Sequence, residues 1–363
     1  MDLLGKELFE KIREEKKSGK FMVAQIAPAM RVSIGEEFGL PAGTETTGKL
    51  ISLLKRLGFD EVIDTSFGAD AIIYIEAKEF AKMLESGKGN FPFFNSCCVG
   101  WREYAGKRHP ELLPQISNIV TPMMMAGSIA KLFFSKEWKV NPEKIAVVGI
   151  MPCSLKKHET VFEMPNGLKY VDHVVTTREL GEWARQENLD LNKMEDSQMT
   201  EISVPSKDGI IFGATGGITE ALITSIAHHL GEEKEVLEVR KNESLREYNF
   251  RIGKHELSAA VVYGYPALEK LLEKIKQGSK YHFVEVMGCM FGCVGGPGQP
   301  IPKENDAMVK RAEALRRIAD KSREKTPMDL KAIKMLDPSF FEHLQLKGTS
   351  RCFAYFPGKS SNL

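Results

Sequence analysis

Five of the six cysteines stand in three short segments, and thiolates grouped in this way could hold a metal ion or an iron–sulfur cluster. The segments are "NSCCVGW", "MPCSLKKHE" and "EVMGCMFGCVGGPGQP", and they carry Cys97, Cys98, Cys153, Cys289 and Cys293. Structural zinc sites usually use C-x2-C pairs, whereas these cysteines come as an adjacent pair, a single residue and a C-x3-C pair. The pattern therefore favours an iron–sulfur cluster in a closed interior over zinc.

A cysteine without such neighbours is more often a small buried hydrophobic residue than a ligand. We favour that interpretation for Cys352, the isolated sixth cysteine. Six cysteines in 363 residues also do not make a disulfide framework of the kind found in small secreted domains.

Charged residues follow the middle cysteine closely. Lys156 and Glu159 stand three and six residues after Cys153, and a helix beginning near Cys153 would place Lys156 on the same face as the thiol. A cation suits an anionic cofactor and a carboxylate suits proton transfer. The alternative interpretation is an ordinary solvated helix start.

These segments must be positioned by the elements around them, and apolar runs alternate with helical patterns along most of the chain. Strands are predicted at 21–28, 61–67, 91–96, 144–152, 209–213, 256–265 and 280–288, with helices at 46–58, 69–84, 122–134 and 218–229 and between the last two strands. Such alternation is typical of parallel sheets with helices on both faces. Past residue 302 the sequence reads as charged amphipathic helices with no strand between them.

Each cysteine segment comes directly after one of the predicted strands, at 91–96, 144–152 and 280–288. In open α/β sheets, ligands bind outside the carboxyl ends of the strands. The three segments can therefore converge in space and build one site.

Composition excludes several classes of protein. The formal net charge is +1, from 50 basic and 49 acidic residues, which argues against a nucleic-acid binder. No segment approaches the ~20 apolar residues that a membrane-spanning helix needs. The amphipathic start, "MDLLGKELFEKIREEKKSGK", lacks the apolar core of a signal peptide, so we expect a cytoplasmic protein.

Taken together, the three cysteine segments resemble the signatures of the iron–iron (FeFe) hydrogenases. Those signatures are T-S-C-C-P-x-W, M-P-C-x-x-K-x-x-E and E-x-M-x-C-x-x-G-C-x-x-G-G-G-Q-P. The segment "FGATGG", from Phe212 to Gly217, is similar to a further family segment, and the likeness runs from about residue 21 to the helical end. The combination of the three signatures is far more specific than any one of them.

The resemblance implies a 4Fe–4S cubane joined through a thiolate to a two-iron unit with CO, cyanide and a bridging amine dithiolate. Matched by position, the cubane ligands would be Cys98, Cys153, Cys289 and Cys293, and Cys293 would also bridge to the two-iron unit. Lys156 would donate a hydrogen bond to a cyanide. The other residues expected around the cofactor are Met151, Pro152, Met287, Phe212, Ala29 and Met123.

The same resemblance implies a proton relay. Cys97 would donate and accept protons at the bridging amine, and the route would continue through Glu76, Ser117 and Glu79. One residue is inserted between Glu79 and Cys97 relative to the family. Glu159 could serve an alternative route.

Several positions depart from the family pattern. Asn95 and Val99 replace the usual Thr and Pro beside the cysteine pair, and Pro297 interrupts the last glycine run. Ala29 stands where a serine often donates to a cyanide, and Met123 where a glutamine is common. Losing two polar groups near the irons should change the iron potential more than the identity of the site.

The alternation of elements and the resemblance together lead us to expect two intertwined α/β lobes, with mainly parallel sheets flanked by helices and the cluster in the cleft between them. The catalytic domain should cover residues 1–302, with lobes at roughly 20–130 and 140–300. A helical segment, 303–363, should pack on its outside.

The activity implied is reversible hydrogen oxidation and proton reduction, 2H⁺ + 2e⁻ ⇌ H₂. Because no further cysteine runs are present, we expect electrons from an external carrier such as a ferredoxin, and the cluster would need hydrogenase maturation proteins. Two alternatives stay open: a hydrogen sensor that turns over slowly, and a cubane-only iron–sulfur protein of cluster biogenesis.

Overall fold

The computed structural model describes residues 3–242 and 244–336, where helices and strands alternate. The strands in this part of the chain are β1 Phe21–Ile26, β2 Glu61–Asp64, β3 Phe93–Phe94, β4 Ile145–Met151, β5 His173–Thr176, β6 Lys234–Lys241, β7 Leu245–Ile252, β8 His255–Tyr263 and β9 Phe283–Met287. The helices are α1 Leu3–Lys17, α2 Thr47–Arg56, α3 Thr65–Ser86, α4 Val99–Arg108, α5 Pro122–Ile129, α6 Ser135–Trp138, α7 Thr177–Gln186, α8 Lys207–Ile211, α9 Gly217–Leu230, α10 Tyr265–Lys276, α11 Ala307–Asp320 and α12 Lys331–Met335. No helix among these described residues is long and apolar enough to cross a bilayer.

The first sheet is fully parallel and has the strand order β2-β1-β4-β5. Its central strand β4, with the sequence IAVVGIM, is buried along its whole length. Strands buried on both faces read as continuous apolar runs, which is why β1 and β4 are recognisable in the sequence. Helices α2, α5 and α7 contribute side chains to the core that surrounds this sheet.

The second sheet is mixed and has the order β3-β9-β8-β7-β6. The pairs β3–β9 and β9–β8 are parallel, while β8–β7 and β7–β6 are antiparallel. Strands β5, β6 and β7 are missing from the sequence prediction. Every residue of β6 is exposed, so this strand lacks the buried face on which a period-2 pattern depends.

The two sheets do not follow the expected lobe ranges, 20–130 and 140–300. Strand β3 lies in the second sheet although it precedes residue 130, and β4 and β5 lie in the first sheet although they follow residue 140. The lobe ranges are therefore corrected: each lobe draws on both halves of the chain, and the lobes are intertwined through these exchanged strands.

The predicted strand at 209–213 is wrong, because this segment contains the end of helix α8. Ser206 caps the helix by accepting a hydrogen bond from the Gly209 N–H at 3.2 Å. A short apolar run such as "GIIF" is compatible with a strand or with a helix when its length is the only criterion. The helix predicted from residue 69 begins earlier, at Thr65, because Asp64 caps it through the Ser66 N–H.

Helix α11 packs on the body of the protein through a buried arginine. Arg311 forms two 2.7 Å contacts with the Glu36 carboxylate and donates to the Val294 and Pro300 carbonyls at 3.0 Å. These carbonyls belong to the glycine-rich segment, so α11 holds the back of that segment. The later part of the predicted helical region, 337–363, and Cys352 with it, lie outside the described residues.

Candidate active site

A cavity opens where the carboxyl ends of strands from both sheets meet. Its empty volume, counted together with the open space at its mouth, is about 810 Å³. Strands β1 and β4 reach it from the first sheet, and β3 and β9 from the second. The thiols that line it are Cys97, Cys98, Cys153, Cys289 and Cys293. The three cysteine segments thus converge, as the positions of the predicted strands led us to expect.

The thiols surround the cavity instead of closing on one point. Among residues 3–242 and 244–336, no three His, Cys, Asp or Glu side chains lie close enough to hold a single metal ion. A polynuclear cluster needs a wider ring of ligands than one ion does, because its iron atoms occupy the space between the thiolates. The five thiols line one cavity and could together hold such a cluster.

The pKa values of the thiols also favour a bound metal cluster. Burial, together with the smaller effect of the neighbouring Cys98 and Cys153, raises the pKa of Cys289 to about 12. Burial also raises the pKa of Cys293 and Cys153. Thiols in this setting stay protonated unless positive charge compensates them, and a bound metal cluster supplies that charge.

Backbone geometry brings the C-x3-C segment close to its neighbours. Gly292 has φ of 80°, and a Cβ there would lie 2.9 Å from the Thr215 nitrogen. A Cβ at Gly296 would lie 2.3 Å from the Pro152 carbonyl oxygen. The glycines let this segment pack directly on the segments that carry Phe212 and Cys153.

Cys97 faces the cavity beside Cys98, and its thiol accepts a hydrogen bond from Asn95. The Asn95 amide donates to Cys97 Sγ at 3.2 Å and to the Val286 carbonyl at 3.3 Å, and its oxygen accepts from the Val286 N–H at 2.7 Å. Burial raises the pKa of Cys97 to about 12, while the Asn95 bond lowers it. Asn95 therefore continues the pairing of β3 with β9 and fixes the sulfur at the same time.

Lys156 lies at the edge of the cavity in a 3-10 helix, Ser154–Val161, that follows Cys153. Its ammonium donates to the Cys97 carbonyl at 3.1 Å and to Glu159 at 2.9 Å. The Glu159 carboxylate also pairs with Arg102 and accepts from the Thr121 hydroxyl at 2.8 Å. The expected lysine thus faces the cysteine pair, and Glu159 is held by two cations.

Glu76 and Ser117 form a separate buried pair. The Ser117 hydroxyl donates to the Glu76 carboxyl at 2.5 Å. Burial raises the pKa of Glu76 to about 7, against the lowering effect of the Ser117 bond. Glu79, one turn further along α3, is half-buried, and burial raises its pKa too. Cys97 packs on the hydrophobic cluster to which α3 contributes Ala69, Ile73, Ala77 and Phe80.

Apolar side chains cover the rest of the cavity wall, and they include Met123, Met151, Pro152, Phe212 and Met287. Ala29 is the one expected cofactor neighbour that does not line the cavity. It packs instead among Val32, Ile211 and Leu315, while Ala27 and Pro28 form the wall there. The 3-10 turn that begins at Pro28 directs Ala29 away.

Three residues that support the site were missed as functional residues. Arg102 and Thr121 bind the Glu159 carboxylate, and neither residue is a position that the family signatures specify. Asn95 was noted only as a departure from the family, although an amide two residues before a cysteine can reach its sulfur. The signal that could have identified Asn95 is its ability to donate a hydrogen bond, which the threonine usual at this position in the family also has.

The site thus belongs to an α/β protein whose thiols surround one apolar cavity at the carboxyl ends of parallel strands, an arrangement that could hold an iron–sulfur cluster. Residues 20–297 match the family described as "Iron only hydrogenase large subunit, C-terminal domain". The chain therefore belongs to the iron-only, or FeFe, hydrogenase family, and the resemblance of the three segments is confirmed.

Curated relatives fall into two groups. The chain is 35% identical to the periplasmic Fe hydrogenase large subunit of Nitratidesulfovibrio vulgaris, over 84% of this chain and 75% of the relative. It is 36% identical to iron hydrogenase 1 of Clostridium pasteurianum, over 77% of this chain but only 50% of that protein. It is also 29% identical to a cytosolic Fe–S cluster assembly factor of Danio rerio, over 93% of this chain and 87% of the relative.

Solved structures share the fold. An FeFe hydrogenase structure superposes with a TM-score of 0.79 at 30% identity, covering 94% of this chain and 96% of the other. An apo FeFe hydrogenase from Chlamydomonas reinhardtii gives a TM-score of 0.76 at 29% identity, covering 92% and 93% of the two chains. The expected α/β class is thus confirmed.

Proposed function

We propose that the protein is an FeFe hydrogenase that catalyses reversible hydrogen oxidation and proton reduction. The observation that carries the proposal is the composition of the cavity wall. Beyond the four candidate cubane ligands, the same cavity holds a fifth thiol, Cys97, the ammonium group of Lys156 and a cover of methionine side chains. A protein that holds a cubane alone has no evident use for this additional space and these groups.

The ligands of the cubane in this proposal are Cys98, Cys153, Cys289 and Cys293. The cofactor, when bound, supplies the redox chemistry of hydrogen at a two-iron unit with CO, cyanide and a bridging amine dithiolate next to the cubane. The chain supplies the thiolates, the cation of Lys156 for an anionic ligand, and a wall of methionine, proline and phenylalanine that keeps bulk water out. Such a wall strengthens each electrostatic contact inside it.

Proton movement in this proposal begins at the Cys97 sulfur. The Asn95 amide fixes that sulfur at the cavity, so its proton is presented in one direction. The Ser117–Glu76 pair can carry the proton onward, because a carboxyl with a pKa of about 7 takes up and releases protons near neutral pH. Glu79 lies on the same helix and closer to the surface, and it would complete the route.

The test is infrared spectroscopy and a hydrogen assay after anaerobic loading of the protein with the two-iron complex. We expect CO and cyanide bands and hydrogen evolution in the wild type. Cys97→Ala should load normally, keep its iron, and lose turnover by about 10²–10⁴-fold, the usual contribution of a general acid or base. Ser96→Ala is the matched control, because it removes a buried hydrogen bond to the Ile119 carbonyl (3.1 Å) one residue away.

A second function has support from the relatives named as cytosolic iron–sulfur assembly proteins, which this chain matches over 87% of the Danio rerio protein. In that case the chain would hold a cubane without the two-iron unit. A wild-type protein that binds four irons but shows no CO or cyanide bands after loading would favour this function. Near-normal turnover in loaded Cys97→Ala would instead contradict the proposed relay.

Further expectations remain predictions. They are a ferredoxin-like external electron carrier, hydrogenase maturation proteins, a cytoplasmic location and anaerobic metabolism. A slow-turnover sensor would show the same bands as the enzyme, and the hydrogen assay separates the two.

A further inference from the structure

Tyr265 stands behind the cavity wall, on the side of the candidate cubane ligands. It is the first residue of α10, and it follows Gly264, whose φ of 79° turns the chain out of β8. The Gly264 N–H donates to the Met287 carbonyl at 2.9 Å. This bond places the start of α10 directly against the Gly288–Cys289 segment.

Two glycines leave room for the Tyr265 hydroxyl. A Cβ built at Gly100 would lie 2.8 Å from that oxygen, and one built at Gly288 would lie 3.1 Å from it. The Gly288 Cβ would also lie 3.6 Å from Cys98 Sγ. Neither glycine has a positive φ, so backbone conformation does not require them. Their effect is to open a space, next to Cys98 and Cys289, that the hydroxyl fills.

The tyrosine ring is held in this orientation by a neighbouring ring. Tyr104 stacks on Tyr265 with centroids 4.3 Å apart and planes 12° from parallel. The two hydroxyls nevertheless have different surroundings: that of Tyr104 donates to the Glu269 carboxylate, whereas that of Tyr265 lies beside Gly288, as Cys98 Sγ does.

The charge around Tyr265 suits a donor. A tyrosine hydroxyl ordinarily has a pKa of about 10 and so keeps its proton at neutral pH. A protonated hydroxyl beside thiolates has a hydrogen to donate to them.

We propose that Tyr265 donates a hydrogen bond to the sulfur of Cys98 in the cluster-bound protein and thereby raises the reduction potential of the cubane. The inference rests on the cluster-binding part of the proposed function. A reduced cluster carries more negative charge than an oxidised one, and a donor to its sulfur stabilises the reduced form more. Tyr265 acts through a ligand, so it is a residue that tunes the cluster, not one that touches the reacting atoms.

The experiment is a redox titration, followed by electron paramagnetic resonance, of protein reconstituted anaerobically with the cubane alone. Tyr265→Phe keeps the ring and removes the hydroxyl. We expect its midpoint potential to fall, with an equilibrium constant for reduction about tenfold smaller, the size of one hydrogen bond to a charged group. Tyr104→Phe is the matched control, because it removes the stacked neighbour's hydroxyl, and its potential should equal that of the wild type.

A second variant keeps the inference testable if Tyr265→Phe fails to retain the cluster. Gly288→Ala puts a methyl group 3.1 Å from the hydroxyl and should displace it, which lowers the potential in the same direction. An unchanged potential in the cluster-bearing variants would overturn the inference and leave the proposed function standing. A wild type that binds no iron would overturn both, so the two failures are distinguishable.

Discussion

Glu76 and Glu159 are both almost fully buried, at 3% and 1% exposure, yet their surroundings are opposite. Glu159 is surrounded by Arg102, Lys156 and Thr121. Glu76 receives one hydrogen bond from Ser117 and faces no cation among its described contacts. The sequence makes both residues candidates for proton transfer. It does not reveal that their surroundings differ.

The difference separates two uses of a buried carboxyl group. A carboxylate between two cations balances their charge and holds them in place, so Glu159 positions Lys156 against the cysteine pair. A carboxyl without a counter-ion changes its protonation state near neutral pH. The main proton route is therefore assigned to Glu76 in our proposal, and Glu159 is given a positioning role.

The largest expected effect is on stability at Glu159. Glu159→Gln leaves Arg102 and Lys156 buried without their carboxylate, and breaking a buried ion pair in this way typically costs about 3–5 kcal/mol. Urea denaturation of the apo protein measures the loss. Glu76→Gln is the matched control at pH 6, where the change should cost less than about 1 kcal/mol, because Glu76 is already largely protonated there. Equal losses of stability in Glu159→Gln and Glu76→Gln would contradict the proposed difference between the two carboxyl groups.

The next effect is on turnover at Glu76. Glu76→Gln preserves the shape and the contact with Ser117 but cannot exchange a proton, so hydrogen evolution by the loaded protein should fall by about 10²-fold, at the low end of acid–base contributions. Iron content and CO bands should not change. Glu61→Gln on β2, whose carboxylate accepts from the Thr200 hydroxyl, controls for the loss of a similar group. Normal turnover in Glu76→Gln would place the route elsewhere.

The smallest effect is on the pH dependence of stability. Burial raises the pKa of Glu76 to about 7, so the folded protein keeps a proton that the unfolded chain releases at lower pH. Stability from this proton is present below the pKa of the unfolded chain and is lost as the pH rises through 7. Between about pH 6 and about pH 8 the loss from this group is about 1 kcal/mol.

Burial also raises the pKa of Asp70 to about 8 and of Asp208 to about 7, so the wild type should lose stability by more than the share of Glu76 over the same interval. Denaturation at three pH values measures how the free energy of unfolding depends on pH. In Glu76→Gln this dependence should be weaker by the contribution of Glu76. Burial lowers the pKa of His229 and His282, which acts in the opposite direction, so the deciding comparison is between variant and wild type: an unchanged slope in Glu76→Gln would contradict the burial effect at Glu76.

Sequence patterns predicted the parts of the fold that are buried on both faces. β1 and β4 are continuous apolar strands, and the cysteines that follow β3, β4 and β9 could be placed together at the carboxyl ends of the strands. β6 could not be predicted because its side chains are all exposed, and α8 could not be distinguished from a strand because five residues are too few to show a helical period.

The site was predictable where a motif letter is also a cavity residue, as for the cysteines, Lys156 and Met287. It was not predictable where one turn of backbone decides which way a side chain points. Ala29 shows this: Pro28 before it lines the cavity, while Ala29 joins the packing of α8 and α11. Nor could sequence reveal that Arg102 pairs with Glu159, since the two are 57 positions apart.

The pairing of β3 with β9 has a consequence for how the protein is made. Phe93 aligns with Phe283, so the strand that leads to Cys97 and Cys98 lacks its neighbour in the sheet, β9, until about 190 further residues have left the ribosome. Contacts between such distant parts of a chain form slowly, and domains of this size pass through intermediates. During that interval the first two cysteines are on an unfinished sheet. The cavity that carries the five thiols is therefore complete only after the segment with Cys289 and Cys293 has been synthesised, so a cluster held by all three cysteine segments could bind only after that point.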